Sequence, residues 1–481
     1  MIVKPHRKMG LQESHRKPIF FLVLILLSSA SLACGVSVGA TSARPTATPT
    51  ITATYTPLPP SATPTATHPP TATFTPTPTG TPVPTTPTYT FTPTLTQQPT
   101  ASTQQLQVFN ELWNIVDQEY LYPDFNGVDW KAVYEEYQQK VRAGMTDENF
   151  YLAMSEMIKR LGDNHSTFFS PEQVKKDNEQ HQGSYDYVGV GVINSLVPER
   201  NRVTVVIVFP DSPADKAGIK VHDSILEVNG EPILEGSINR QANIRGPVGS
   251  QVTLTIQSPG GEPRQVQLTR DQINSELPVL HEVLATPDGK RIGYILLTTF
   301  YDETVPGKVR QAIEEMSADG NLDGLILDNR QNTGGSSDVF EAVMSDFENG
   351  KLGSFVNRKG QQPVDVEGQN IDGSQNIPLV ILVGKGTVSF GEIFSGILKD
   401  TQRAYVIGQT TDGNVEILYP YEFQDGSRAW IAHDRFQPLN HPQQNWEQTG
   451  IIPDMTVLSN WDEVTLPTDP VIQAALKHFD Q

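Results

Sequence analysis

The second half of the chain reads as an α/β domain, preceded by a mainly β segment and, before that, by a run of helices. Three observations predict this. Beyond Arg291, short apolar runs alternate with stretches whose apolar residues recur at helical spacing, which implies a sheet flanked by helices. Between 183 and 272 the pattern turns to short strands broken by Gly, Pro and Asn. Between 103 and 182, Phe109, Leu112, Trp113 and Val116, then Trp130, Val133, Tyr134, Tyr137 and Val141, then Phe150, Met154, Met157, Ile158 and Leu161 fall on successive helix faces.

The N-terminus sets the address. Lys4, Arg7, Lys8, Arg16 and Lys17 precede an apolar run over 19–27, and small residues then lead to Ala33 and Cys34, a signal-peptide pattern over 1–33 that is too short for a comfortable membrane span. Cys34 is the single cysteine, which excludes an internal disulfide. Its position after Leu32 and Ala33 resembles the lipobox of bacterial lipoproteins, although Ser31 stands where that motif prefers an aliphatic residue. The resemblance implies lipidation at Cys34 and an exported protein held on the outer face of a bacterial membrane, at the cell surface or in the periplasm. Within 34–102, the stretch from Thr41 onward is nearly all Thr, Pro and Ala, a composition that cannot bury enough apolar surface to offset chain entropy and that makes 34–102 an extended, disordered stalk. Without its first 33 residues the chain carries 30 Lys and Arg against 54 Asp and Glu, a net −24, which argues against nucleic acid or anionic lipid as a partner.

In the helical segment, Thr146 is the expected N-cap of the third helix, with Asp147 and Glu148 in its first turn and Gly162 beyond its end. The polar loop that follows, 163–169, places His165 ahead of two phenylalanines. A lone loop histidine is more often structural than catalytic.

Strands are expected over 203–209, 224–228 and 252–256. Ser212-Pro213-Ala214-Asp215-Lys216-Ala217-Gly218-Ile219, followed by Asp223 to Gly230 (DSILEVNG), resembles the signature of a PDZ domain of the bacterial protease type. The resemblance implies that Val188, Gly189, Val190 and Gly191 form the loop that receives a peptide's terminal carboxylate. Glycine amides converging on a carboxylate beside an open strand edge suit that task.

In the α/β segment, 273–481, strands are expected over 292–298, 322–328, 378–384 and 404–408, with helices over 305–316 and 337–347 and from Phe390 onward. Ligands of such sheets sit beyond the carboxyl ends of the strands. Two ends stand out. Gly334 and Gly335 follow the 322–328 strand, and paired glycines allow backbone amides close to a ligand, though most such pairs are turns. Ser389 stands at the corner between the 378–384 strand and its helix. It reads either as a helix N-cap or as a nucleophile facing the amides of the first helical turn.

Taken in order, the helical segment, LGDNHSTFFSPE, the PDZ-like stretch, LDGLILDNRQNTGG, the Ser389 corner and Gly450-Ile451-Ile452-Pro453-Asp454 resemble the C-terminal processing (tail-specific) serine peptidases and their tricorn-like relatives. The resemblance implies a crotonase-like α/β core with an N-terminal helical segment and an inserted PDZ domain. It implies Ser389 as nucleophile, with the amides of Gly334, Gly335 and Phe390 facing the oxyanion. Where the tail-specific branch carries its lysine base, this chain has Asn414, whose amide has no proton acceptor that titrates near neutrality. Lys385 and Lys399 are poorly placed to substitute. The tricorn branch instead uses a loop histidine oriented by a glutamate, and the matching positions here are His165 and Glu447. The expected activity is therefore serine endopeptidase action on protein or peptide C-termini. The alternative, a catalytically silent peptide-binding lipoprotein, stays open, as does a binder of small apolar ligands. No metal-ligand spacing, phosphate loop or dinucleotide fingerprint stands out, so no cofactor is expected.

Overall fold

The computed structural model describes residues 102–163, 165–181 and 185–480. The leader, Cys34 and the Thr/Pro stretch up to residue 101 lie outside the described residues, as does Asn164. Among the described residues no helix is long and apolar enough to cross a membrane.

Three helices open the described chain, Thr103–Glu119, Trp130–Arg142 and Asp147–Lys159. Each starts on a side-chain cap: Ser102 accepts from the Gln105 amide, Asp129 from Ala132 and Thr146 from Asn149. Their apolar faces bury Phe109, Leu112, Val133, Tyr137, Met154 and Met157 in one cluster, closed from the other side by Leu418, Phe423, Trp430 and Ile431.

Leu418, Trp430 and Ile431 belong to a sheet that sequence periodicity did not announce, and Phe423 directly follows one of its strands. The Arg428–Pro438 strand is flanked by Thr167–Phe169, Ile417–Glu422 and the Gly350–Asn357 hairpin arm, with Gly360–Val366 outermost. Thr167 and Pro420 both lie opposite Trp430, so the chain just before each strand, His165 in one case and Glu416 in the other, is delivered to the same end of the sheet. Phe168 is 2% exposed and packs its ring 5.7 Å from that of Phe423. Truncating it to alanine should cost about 3–5 kcal/mol, read as a lowered urea midpoint. A loss below about 1 kcal/mol would mean that this strand does not anchor the helices.

The middle segment is a five-strand path in the order Arg264–Thr269, Gln251–Gln257, Ser224–Val228, Arg202–Val208, Val192–Val197, with Glu231–Pro232 added beside Ser224–Val228. Val192–Val197 is the outer strand of that path. Its core is aliphatic, built from Val203, Val205, Ile225, Leu254 and Ile256.

The last segment centres on a six-stranded sheet in the order His281–Ala285, Arg291–Leu296, Gly324–Asp328, Leu379–Val383, Tyr405–Gly408, Met455–Thr456. The first pair is antiparallel and the others are parallel. Gly324–Asp328 and Leu379–Val383 are buried throughout, as expected of parallel strands covered on both faces. Because they are neighbours, with Asp328 opposite Leu382, the loops that leave their carboxyl ends emerge side by side.

Candidate active site

Those two loops are stapled together. Val388 donates to the Asn332 carbonyl at 2.8 Å, the Thr387 hydroxyl to the Asn329 carbonyl at 2.8 Å, and the Asn329 amide to the Gly391 carbonyl at 2.7 Å. Arg330, buried beneath them, donates to both carboxylate oxygens of Asp328 and, at 2.6 Å, to Asp469. The Arg330 guanidinium is fully paired, which fixes loop geometry, and loss of one carboxylate would strand its charge.

Ser389 begins the Phe390–Asp400 helix but does not cap it. A capping serine has extended backbone angles and accepts an amide of the first turn. Ser389 has φ 58°, ψ −124° and makes no capping bond. A positive φ of this size is strained for a side-chain-bearing residue and belongs to a sharp strand-to-helix turn. Glu392 instead holds the helix start: it receives the Gly413 and Asn414 amides at 2.9 and 2.7 Å and interacts with the Thr411 side chain and the Ser389 amide. Its burial raises its pKa against those four bonds. The Ser389 hydroxyl is left fully buried, with no hydrogen-bond partner among the described residues.

Gly334 faces that hydroxyl directly. A Cβ at position 334, where φ is +81°, would lie 2.8 Å from Ser389 Cβ and 3.1 Å from both Ser389 Oγ and the Phe390 nitrogen. The Gly334 amide itself donates to Asn332 Oδ1 at 2.9 Å. With that amide engaged, Gly334 supplies close approach to Ser389. Gly335, at φ +155°, is held by the chain at Phe300, whose carbonyl carbon a Cβ there would meet at 2.0 Å.

His165 is 8% exposed. Asp163 shapes its loop by accepting the His165 and Ser166 amides at 3.0 and 2.6 Å, and is itself held by the Tyr120 hydroxyl at 2.6 Å. The ring's Nε2 pairs with Glu447 Oε1 at 2.8 Å, and the other oxygen of Glu447 receives the Val415 amide at 2.7 Å. No hydrogen bond joins the ring to Ser389, whose hydroxyl stands alone. Burial disfavours the imidazolium, but the hydrogen bond and charge of Glu447, with the charges of Glu416 and Asp163, outweigh it and lift the His165 pKa above its ordinary value.

Glu416 was not foreseen. It is 2% exposed, its Oε2 lies 3.9 Å from His165 Nε2, and burial together with the Glu447 charge pushes its pKa up to about 7. Nothing local in the sequence marks it, since it follows Asn414 by two residues and faces a histidine 251 positions upstream only through strand pairing. Asn414 gives its backbone amide to Glu392, while its side-chain oxygen is buried with no hydrogen-bond partner among the described residues. In the middle segment, Val188 and Gly189 are paired with Gln272 and Asp271. The Val190 carbonyl accepts from Ala214 at 2.8 Å, and Gly191 (φ +85°) packs so close to Ser212 that a Cβ would lie 2.2 Å from the serine's Cβ.

Comparison with known proteins places these features. Residues 291–457 match peptidase family S41, 102–159 the tricorn protease C1 domain and 204–258 the PDZ domain. The carboxyl-terminal-processing protease of Synechocystis sp. is 32% identical over 380 residues, covering 78% of this chain and 86% of the relative. The chloroplastic carboxyl-terminal-processing peptidase 2 of Arabidopsis thaliana is 31% identical, covering 73% of this chain and 68% of its own length. Among solved structures, the photosystem II D1 C-terminal processing protease superposes with a TM-score of 0.56 at 28% identity, over 78% of this chain and 98% of the other. A putative S41 protease from Bacteroides fragilis shares the fold, with a TM-score of 0.50 at 17% identity over 77% of this chain and 97% of the other. The chain belongs to the carboxyl-terminal-processing peptidases, the S41 serine peptidases, and carries a PDZ domain.

Proposed function

We propose that the protein is an exported, lipid-anchored endopeptidase that captures protein C-termini in its PDZ domain and cleaves them with Ser389 as nucleophile, His165 as general base and Glu447 as its orienter. The observation that carries this reading is the buried 2.8 Å bond between His165 Nε2 and Glu447 Oε1, in a chain whose family lysine is Asn414. With Nε2 engaged, Nδ1 is the nitrogen left to accept the serine proton and return it to the leaving amine. Hydrogen-bonding reach to Ser389 would be gained on substrate binding, since catalytic contacts are commonly loose without substrate. Gly335 and Phe390 would donate to the oxyanion on a crotonase-like core behind the helical segment.

Capture would follow strand addition at the open Val192–Val197 edge, with Val188 to Gly191 at the carboxylate. A cavity of about 500 Å³ supports a path from that edge to the core, since its lining joins Ser195 and Leu196 to Gly384 and Gly386. Cys34, beyond the described residues, would carry the anchor on the outer face of a bacterial membrane.

A fluorophosphonate probe should label the wild-type chain at Ser389 and leave Ser389→Ala unlabelled. The missing bond between His165 and Ser389 favours the second reading, a silent peptide-binding lipoprotein. Peptide binding with neither labelling nor turnover would establish that reading and sink the first.

A further inference from the structure

We propose that His165, Glu416 and Glu447 form a binding site for a transition-metal dication, Zn²⁺ being the species tested, and that the ion holds the enzyme inactive by occupying the base. The existence of the site stands on its own geometry. Only the inhibitory consequence rests on the assignment of His165 as base.

One ring nitrogen and one oxygen from each carboxylate lie within 4.8 Å of one another. His165 Nε2 is 2.8 Å from Glu447 Oε1 and 3.9 Å from Glu416 Oε2. Ligands of a tetrahedral zinc, each about 2.0–2.2 Å from the ion, are about 3.3 Å apart, so the observed separations bracket that value and need only small side-chain adjustments. Glu416 Oε2 is the independent sign of a missing ligand. It is a buried carboxylate oxygen with no hydrogen-bond partner among the described residues, on a residue that is 2% exposed, and it faces the ring.

The outer contacts are those of a prepared site. The far oxygen of Glu447 is fixed by the Val415 amide at 2.7 Å, and that of Glu416 by the Tyr122 hydroxyl, so the inward oxygens are the ones left for an ion. Once deprotonated for ligation, two carboxylates beside one neutral imidazole sum to a charge of about −2 that a divalent cation offsets. Glu447, with its side chain 18% exposed, opens the site to solvent on one side and leaves a fourth position for water. An ion bound to Nε2 replaces the His165–Glu447 hydrogen bond and confines the ring's one proton to Nδ1, the nitrogen that would otherwise accept the serine's proton.

The test uses the full chain, stripped with a chelator and titrated with ZnCl2 by calorimetry and with CoCl2 by visible absorption. One equivalent should bind at the site, and Co²⁺ should give the absorption of a four- or five-coordinate N/O site. Affinity should fall at least about tenfold in Glu416→Gln, with His165→Gln as the second variant should the first fail to fold. Zinc should suppress probe labelling over the same concentration range, and chelator should restore it. Equal zinc uptake by wild type and both variants, or none by wild type, overturns the site even if Ser389 reacts. Uptake that depends on Glu416 in a protein whose Ser389 never reacts keeps the site and overturns the peptidase reading instead.

Discussion

Replacing Ser389 with glycine is expected to abolish hydrolysis and to raise the melting temperature at the same time. The two effects share one cause. At φ 58°, ψ −124° the residue occupies backbone space in which a Cβ is strained, at a cost of about 1–3 kcal/mol, and its hydroxyl gains no bond in return. Glycine relieves that strain, and after the loss of about 0.5–1 kcal/mol to its freedom in the unfolded chain, a net gain of about 1 kcal/mol remains. Peptide turnover should fall by at least about 10⁴-fold, the scale seen when a serine nucleophile is removed. Ser389→Ala separates the terms: activity is lost as completely, while the strain and hence the stability stay near those of wild type. Were Ser389 only the start of a helix, either change would leave turnover intact. Calorimetric melting alongside hydrolysis of an unstructured substrate decides it, and retained turnover in either variant ends the nucleophile assignment.

The strained serine also shows how far sequence reasoning reached. Alternation of apolar runs with helical periodicity was enough to find the parallel strands and the helix after Ser389, because strands such as Leu379–Val383 are apolar at every position and bounded by glycine or proline. The sheet around Arg428–Pro438 was missed for a physical reason. Its strands are polar at many positions, among them His433, Asp434 and Arg435, because charged partners such as Asp177, Glu422 and Glu119 neutralise buried groups there and blur the two-residue alternation. His165 and Glu447 were legible only through motif order. Glu416 was not legible at all, since its environment comes from two strands flanking a third. Gly334 was legible as a glycine that permits close approach, but not as one whose amide is already taken by Asn332.

Changing Glu447 to glutamine should lower turnover by about 10³–10⁴-fold with the fold intact, the size expected when the group that fixes a catalytic imidazole's tautomer loses its charge. Glutamine keeps an oxygen for the Val415 amide, so the loop need not move, but its NH2 group can turn towards Nε2 and stabilise the wrong tautomer. The pH profile then tests the cluster as a whole. His165 works as a base only when deprotonated. Because Glu447 and Glu416 lift its pKa, the acid limb of turnover should lie above the ordinary histidine value of 6.5 and rise with pH through it. Glu416→Gln removes one of the charges that favour the imidazolium, so the limb should shift to lower pH.

Stability should respond as well. Glu416 titrates at about 7 in the fold against an ordinary 4.5, so the fold favours its neutral form. That contribution is complete below 4.5 and is lost as pH rises through about 7. Glutamine is neutral throughout, and the variant should therefore lack this decline in melting temperature. An acid limb that stays in place in Glu416→Gln, while Glu447→Gln still hydrolyses at the wild-type rate, would show that the imidazole beside these carboxylates is not the group that takes the serine's proton.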